Sequence, residues 1–374
     1  MITKPHIVID ARLYGPSDTG LGRYTKNLLI ALVKLPEFNQ YRFSLLVYPQ
    51  NLTQIKSDLK DNFSYVPTTL HHYSVTEQLK LPSLLSSLKP DLVHFTHLDK
   101  PIFYRGKSVV TIHDLIKHFS KGMDTTTKNP LFYWPKYLGY LLMTKVVLNT
   151  GSIIVPSNFW RDYIIDNLNF DPENIITTYE AVDPHFFPIH KSSIINPKSY
   201  LLYTGNLYPH KNIDVVLSAL KLLPGLKLKI ICARNIFMSR TIQKIDRLRL
   251  RNQVKFLGYI HDDQFKKIYS EALALVHPSL IEGFCLTGLE AMALNCPVIA
   301  AETSCLPEIY QNSVLYFDPH SPQNLVDQIN MLTNNPKLRQ LLITGGHQQV
   351  KKYSWSKTAA LTLNFYDRVL KTND

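Results

Sequence analysis

Apolar residues in this chain come in short runs, broken by polar, glycine-bearing loops and by stretches where they recur at helical spacing. The first run, His6-Ile7-Val8-Ile9-Asp10, reads as a strand. A loop from Ala11 to Tyr24 follows it, and Leu28, Leu29, Leu32 and Val33 then fall on one stripe of a helix. Further runs at Phe43 to Tyr48, Asp91 to Phe95, Ser108 to Ile112, Ile153 to Val155 and Ile175 to Thr178 alternate with helical patterns. Such alternation predicts a mainly parallel sheet covered by helices on both faces. The polar stretch His185 to Ser199, with two prolines, reads as a linker. A second series then begins with Tyr200-Leu201-Leu202-Tyr203 and continues through Leu228 to Ala233, Ala272 to Val276 and Pro297 to Ala301. The last segment, Tyr353 to Leu370, is patterned as an amphipathic helix. The pattern predicts an α/β protein of two Rossmann-like domains, residues 1–190 and 191–352, with a terminal helical segment 353–374.

The totals agree with two cores. A chain of 374 residues is long for one domain, and its 45% apolar and 19% charged shares are those of a globular protein. No stretch reaches the ~18 uncharged apolar residues of a membrane span. The longest candidate, Tyr137 to Leu148, is interrupted by Lys145. The segment from Met1 to His6 runs straight into a strand, so no signal peptide is expected. Cys232, Cys285, Cys296 and Cys305 show no C-x-x-C pairing, which predicts reduced cysteines, a cytoplasmic setting and no structural metal.

A formal charge of +12 asks for an anionic partner. Nucleic acid is not expected, because no nucleic-acid-binding motif accompanies the charge. A phosphorylated substrate or an anionic membrane surface fits. Between Lys117 and Lys145 five lysines (117, 121, 128, 136 and 145) face the single acid Asp124 and interleave with Phe119, Phe132, Tyr133, Trp134, Tyr137 and Tyr140. That mixture suits either a helix lying on anionic lipid or a packed helix with a solvated lysine face.

The candidate chemistry gathers in His277-Pro278-Ser279-Leu280-Ile281-Glu282-Gly283-Phe284-Cys285-Leu286-Thr287-Gly288-Leu289-Glu290-Ala291-Met292-Ala293. It sits between two apolar runs and reads as strand, loop, helix, strand. Glu282 falls in the loop and Glu290 about a turn inside a helix beginning near Leu286. A helix start attracts phosphate through its unpaired N–H groups, and carboxylates on either side suit sugar hydroxyls.

This arrangement resembles the E-x7-E signature of retaining glycosyltransferases with the GT-B fold, in particular the nucleotide-sugar-dependent family 4. The likeness extends to Thr111-Ile112-His113-Asp114-Leu115, to Gly20-Leu21-Gly22-Arg23-Tyr24 after the first strand, to Tyr208-Pro209-His210-Lys211-Asn212 in the second domain, and to Leu306-Pro307-Glu308. Glu180-Ala181 departs from the family pattern, which has Asn-Gly there.

The resemblance implies two Rossmann-like domains facing each other across a cleft, with the acceptor on the first domain and the donor on the second. Lys211 would pair with the donor diphosphate, with Asn206 and His210 where a second cation often stands. Gly20 and Gly22 would offer backbone positions beside the diphosphate. Glu282 would bind sugar hydroxyls, with the N–H groups of Gly283, Phe284 and Cys285 and the helix start at Leu286. Glu290 would hold the ribose, and His113 would orient the sugar. Neither a metal nor a cofactor is implied, the nucleotide-sugar being a substrate.

Mannosyl transfer from GDP-mannose to a glycan or lipid-linked glycan is the first expectation and a UDP-sugar the alternative. A nucleotide-sugar epimerase and a catalytically silent sugar-nucleotide-binding protein are the readings from other classes.

Overall fold

A computed structural model describes residues 4–15, 18–126, 130–187, 200–232, 236–258, 260 and 262–372. Its strands form two sheets in which every pair is parallel. The first contains β1 (His6–Asp10), β2 (Arg42–Val47), β3 (Ser64–Pro67), β4 (Leu92–Phe95), β5 (Ser108–Thr111), β6 (Ser152–Val155) and β7 (Ile175–Thr177), in the order β3-β2-β1-β4-β5-β6-β7. The second contains β8 (Tyr200–Thr204), β9 (Lys227–Ile231), β10 (Val254–Phe256), β11 (Ala274–His277), β12 (Val298–Ala301) and β13 (Leu315–Phe317), in the order β10-β9-β8-β11-β12-β13.

Each sheet steps outward from its first strand and then reverses, between β1 and β4 in one and between β8 and β11 in the other. At such a reversal the flanking loops part at the carboxyl ends of the strands, which is where open α/β sheets bind ligands.

The apolar runs form strands because both faces are covered. Ile7, Val8 and Ile9 of β1 and Val298, Ile299, Ala300 and Ala301 of β12 are all fully buried. Each large aliphatic chain so buried contributes ~1.5–3 kcal/mol. The structure adds β3, which the hydrophobic pattern does not show. This short edge strand, Ser64-Tyr65-Val66-Pro67, is partly exposed along its length, so burial did not select an apolar run there.

The chain folds into two compact units. One comprises Met1–Asp114, Trp134–Glu180 and Ser354–Asp374, the other Leu115–Tyr133 and Ala181–Tyr353. The first unit therefore includes the terminal helix Trp355–Lys371, which starts after Ser354, whose hydroxyl accepts the Lys357 N–H at 3.2 Å. This helix packs on the helix Thr19–Leu32. It also places the Tyr366 hydroxyl 2.5 Å from His94 Nδ1, and the Thr358 hydroxyl donates to the Tyr179 carbonyl at 2.5 Å.

The expected linker reaches the described residues only up to Phe187, and the expected boundary at 190/191 lies outside them, as does Lys128 of the basic stretch. Among the described residues no helix is long and apolar enough to cross a membrane.

Candidate functional site

In the second unit the loops after β8 and β11 leave the strand-order reversal side by side. The first carries a 3-10 turn Pro209–Lys211, and the second carries His277 to Cys285 before the helix Leu286–Ala293. They are tied together where the Leu280 N–H donates to the His210 carbonyl at 2.8 Å. Lys211 Nζ reaches both Glu282 oxygens at 2.7 Å. His277 Nε2 lies 2.9 Å from Glu282 Oε1, and its Nδ1 lies 2.7 Å from the Tyr310 hydroxyl.

That hydroxyl has one proton, which it donates to the Cys285 carbonyl at 2.8 Å. An ionised carboxylate asks the His277 Nε2–H to donate to it. Glu282 is thus held by two side-chain donors, Lys211 and His277. Burial alone would raise its carboxyl; Lys211 and His277 outweigh burial and hold it far below the usual carboxylate range.

Tyr310 also accepts the Gly288 N–H at 3.1 Å. The glycine is needed there, because a Cβ on Gly288 would meet the Tyr310 oxygen at 2.1 Å. This alters the expected phosphate cradle. Of the helix-start groups, the Gly288 N–H is already committed to Tyr310, which leaves Leu286 and Thr287 as its first-turn positions.

Cys285 caps the helix in the left-handed region, at φ 80°. Its sulfur lies 3.2 Å from that of Cys305, which also approaches the carbonyls of Glu282 and Gly283 at 3.4 Å. Burial pushes the Cys285 thiol well up, and neither cysteine is in a disulfide. Phe284 meets the Tyr353 ring edge-on at 5.5 Å, and Glu290 is buried in the helix Leu286–Ala293.

The remaining expected donor residues are less direct. Asn206 is exposed and serves its own loop, its Oδ1 accepting the Tyr208 N–H and its carbonyl the Tyr203 hydroxyl. His210 does not supply a second cation. Burial, and then Lys211, push it down to about 4, so it is neutral at pH 7. Gly20 and Gly22 lie inside the helix, which starts at Thr19 rather than after Tyr24. Gly22 is required for packing, since a Cβ would meet the Gly15 carbonyl at 2.3 Å.

In the first unit His113 follows β5 and is held from both sides. Its Nε2 lies 3.0 Å from the Thr96 carbonyl and its Nδ1 3.2 Å from Glu180 Oε1. Both partners accept, so both nitrogens donate and the imidazolium is favoured. Burial lowers this histidine, but Glu180 outweighs burial and raises it. The Tyr24 ring stands edge-on against it at 4.6 Å. Glu180 was legible only as a departure from a pattern; its use as the partner of His113 comes from the fold.

The reversal between β1 and β4 carries a second cluster that the sequence reading missed. Arg12, fully buried, pairs with Asp10 and with Glu77, both at 2.6 Å. Around His72, the sets Asp10, His72, His97 and His72, Glu77, Asp99 have ligand atoms close enough to hold a cation. Arg12 and a protonated His72 offset part of this carboxylate charge without one: burial would lower His72, but Asp99 and then Glu77 push it up to about 9. Two open concavities of about 700 and 540 Å³ in this unit lie at the amino ends of the strands, away from these groups.

Two family models match the chain, "Glycosyltransferase Family 4" over residues 19–186 and "Glycosyl transferases group 1" over 187–349. The chain is 25% identical to O-antigen chain mannosyltransferase B of Escherichia coli over 93% of its own length and 96% of that protein's. It is 26% identical to O-antigen chain mannosyltransferase RfbU of Salmonella typhimurium, over 88% and 92%. Its fold is similar to that of WaaG, a glycosyltransferase involved in lipopolysaccharide biosynthesis, with a TM-score of 0.70 at 14% identity over 96% of this chain and 98% of that one.

Proposed function

The chain belongs to the family 4 glycosyltransferases of GT-B fold, and from that premise we propose that it transfers a mannosyl residue from GDP-mannose to a glycan or lipid-linked glycan with retention at the anomeric carbon. The observation that carries the donor site is the Lys211–Glu282–His277–Tyr310 network at the reversal of the second sheet. Relatives named as mannosyltransferases support the choice of sugar.

Breaking the anomeric bond leaves negative charge on the departing diphosphate and positive charge on the sugar ring. Fixed groups that meet such developing charge lower the barrier most. Lys211 is the proposed cation for the diphosphate, with the first-turn N–H groups of Leu286 and Thr287 and without a metal or cofactor. Glu282, kept ionised by its two donors, is the proposed acceptor for sugar hydroxyls. Glu290 is proposed to hold the ribose. The acceptor is assigned to the first unit, and His113, held by Glu180, is proposed to orient the transferred sugar. Its ring nitrogens are both engaged, which suits orientation rather than proton abstraction. The proposed setting is cytoplasmic.

A thermal-shift screen of nucleotide-sugars tests the donor. A ligand at 100 times its Kd adds ~2.7 kcal/mol, a shift of several degrees. GDP-mannose and GDP should raise the midpoint, and UDP-sugars should not. A shift given by a UDP-sugar alone replaces the donor, and turnover of donor to an epimer without any acceptor rejects transfer.

A further inference from the structure

Two of the four cysteines meet inside the loops that shape the second unit's site. The Cys285 and Cys305 sulfurs lie 3.2 Å apart, in direct contact, and both residues are buried. Cys285 stands where the loop carrying Glu282 turns into the helix Leu286–Ala293, and Cys305 where β12 leads into the helix Leu306–Tyr310. The two loops are already linked by the Thr303 hydroxyl, which donates to the Leu280 carbonyl at 3.2 Å. The Cys305 sulfur reaches the Glu282 and Gly283 carbonyls at 3.4 Å, so it touches the backbone of the residues assigned to the sugar.

The backbone points the same way. Cys285 has φ 80°, in the left-handed region that glycine enters freely and a residue with a Cβ enters with strain. Strain of this kind gathers at functional positions. Here the strained residue brings one thiol against another.

We propose that Cys285 and Cys305 are a redox modification site, oxidised by hydrogen peroxide to a disulfide that impairs nucleotide-sugar binding until a dithiol reduces it. The inference rests on the donor assignment above only for the identity of the ligand that is lost. One thiol reacts with peroxide, breaking the O–O bond, to give a sulfenic acid and water. The second sulfur then attacks the first; the S–O bond breaks, the S–S bond forms and a second water leaves. The two thiols lose two hydrogens and two electrons, and the peroxide takes both.

Burial holds the Cys285 thiol protonated and bars bulky disulfides, so the reaction is slow and selects a small oxidant. The new bond draws the sulfurs ~1 Å closer than thiol contact. That pull falls on the helix cap, whose carbonyl accepts from the Tyr310 hydroxyl, and on the backbone of Glu282 and Gly283.

The full chain, treated with hydrogen peroxide, alkylated and digested, should yield a Cys285–Cys305 peptide pair lighter by two hydrogens in mass spectrometry. Calorimetry with GDP and with UDP reads the site before and after. Whichever nucleotide binds the reduced protein should bind the oxidised protein about tenfold more weakly, the loss of one charge-assisted contact, and dithiothreitol should restore it. Cys305→Ser, which keeps a donor near the same carbonyls, should bind nucleotide like the parent and ignore peroxide. Cys232→Ala with Cys296→Ala should remain sensitive.

Recovery of Cys285 and Cys305 as alkylated thiols after peroxide overturns the proposal, as does a disulfide that leaves nucleotide affinity unchanged. If neither nucleotide binds the reduced chain, the donor reading fails, while the peptide masses still decide whether the disulfide forms.

Discussion

Replacing Lys211 by Met removes one cation from Glu282 and leaves the carboxylate among buried neighbours. The two side chains are 18% and 11% exposed and 2.7 Å apart. At an effective dielectric of 20, such a contact represents about 6 kcal/mol of gross attraction. Desolvation offsets much of this, and breaking a buried pair by deleting one partner costs ~3–5 kcal/mol. His277 still donates to Glu282, so Lys211→Met should fall near the lower end, ~3 kcal/mol. Glu282→Gln should cost less, because Lys211 can turn toward water. The double variant should then be better than the sum of the singles by ~1.5 kcal/mol or more.

Urea unfolding followed by far-UV circular dichroism measures all four corners of this cycle. The pH dependence adds a second check. The folded pKa of Glu282 is depressed, so its stabilisation is complete above the unfolded value of 4.5 and is lost as pH falls through the folded value. The gap between parent and Lys211→Met should hold from pH 7 to about 4.5 and close below it. Single variants that add within ~0.5 kcal/mol, or a gap independent of pH, would refute the argument.

Glu290→Gln should weaken nucleoside diphosphate and donor alike, whereas Glu282→Gln should lower turnover at nearly constant nucleoside diphosphate affinity; calorimetry beside steady-state kinetics separates them, and the opposite pattern reverses the two assignments. Each lost charge-assisted contact should cost ~1.5–3 kcal/mol. Glu180→Gln should lower the His113 pKa, read by NMR. His113 is raised in the fold, so the pair stabilises fully below the ordinary 6.5 and fades as pH rises through the folded value; a stability difference from Glu180→Gln that grows with pH contradicts this. Gly288→Ala should displace Tyr310 and destabilise by ~1–3 kcal/mol, partly recovered by adding Tyr310→Phe, and an unchanged melting midpoint for the single variant counts against the contact. Transfer should continue in excess EDTA; activity lost to chelation and restored by Mg²⁺ would put a metal at the diphosphate.

The parallel sheets were legible because two-sided burial writes strands as apolar runs, and the helix beginning at Leu286 because glycines and a carboxylate pair punctuate its start. What escaped was long-range pairing. Tyr310 lies 25 positions beyond Cys285 and reads as an ordinary aromatic until β11 and β12 bring its hydroxyl between His277 and Gly288. Glu180 meets His113 across 67 positions because β5 and β7 share a sheet with only β6 between them. His210 could be read as a cation from sequence, since its burial is a property of packing. The helix start at Thr19 escaped because Thr19 has a positive φ of 61° and the glycines around it disguise the first turn.

The first unit is discontinuous in sequence, and its helix Thr19–Leu32 is covered by the helix Trp355–Lys371, the last in the chain. During synthesis these two helices emerge roughly 300 residues apart. At ~5–20 residues per second, the ribosome takes roughly 15–60 s between them. Throughout that interval the covering helix does not yet exist, while the second unit is made between the two. The later-encoded unit can finish folding first, while the nascent first unit keeps an apolar helix face open to chaperones. Truncation directly after Tyr353 would leave a complete second unit attached to a first unit that cannot close, a state for quality control to recognise.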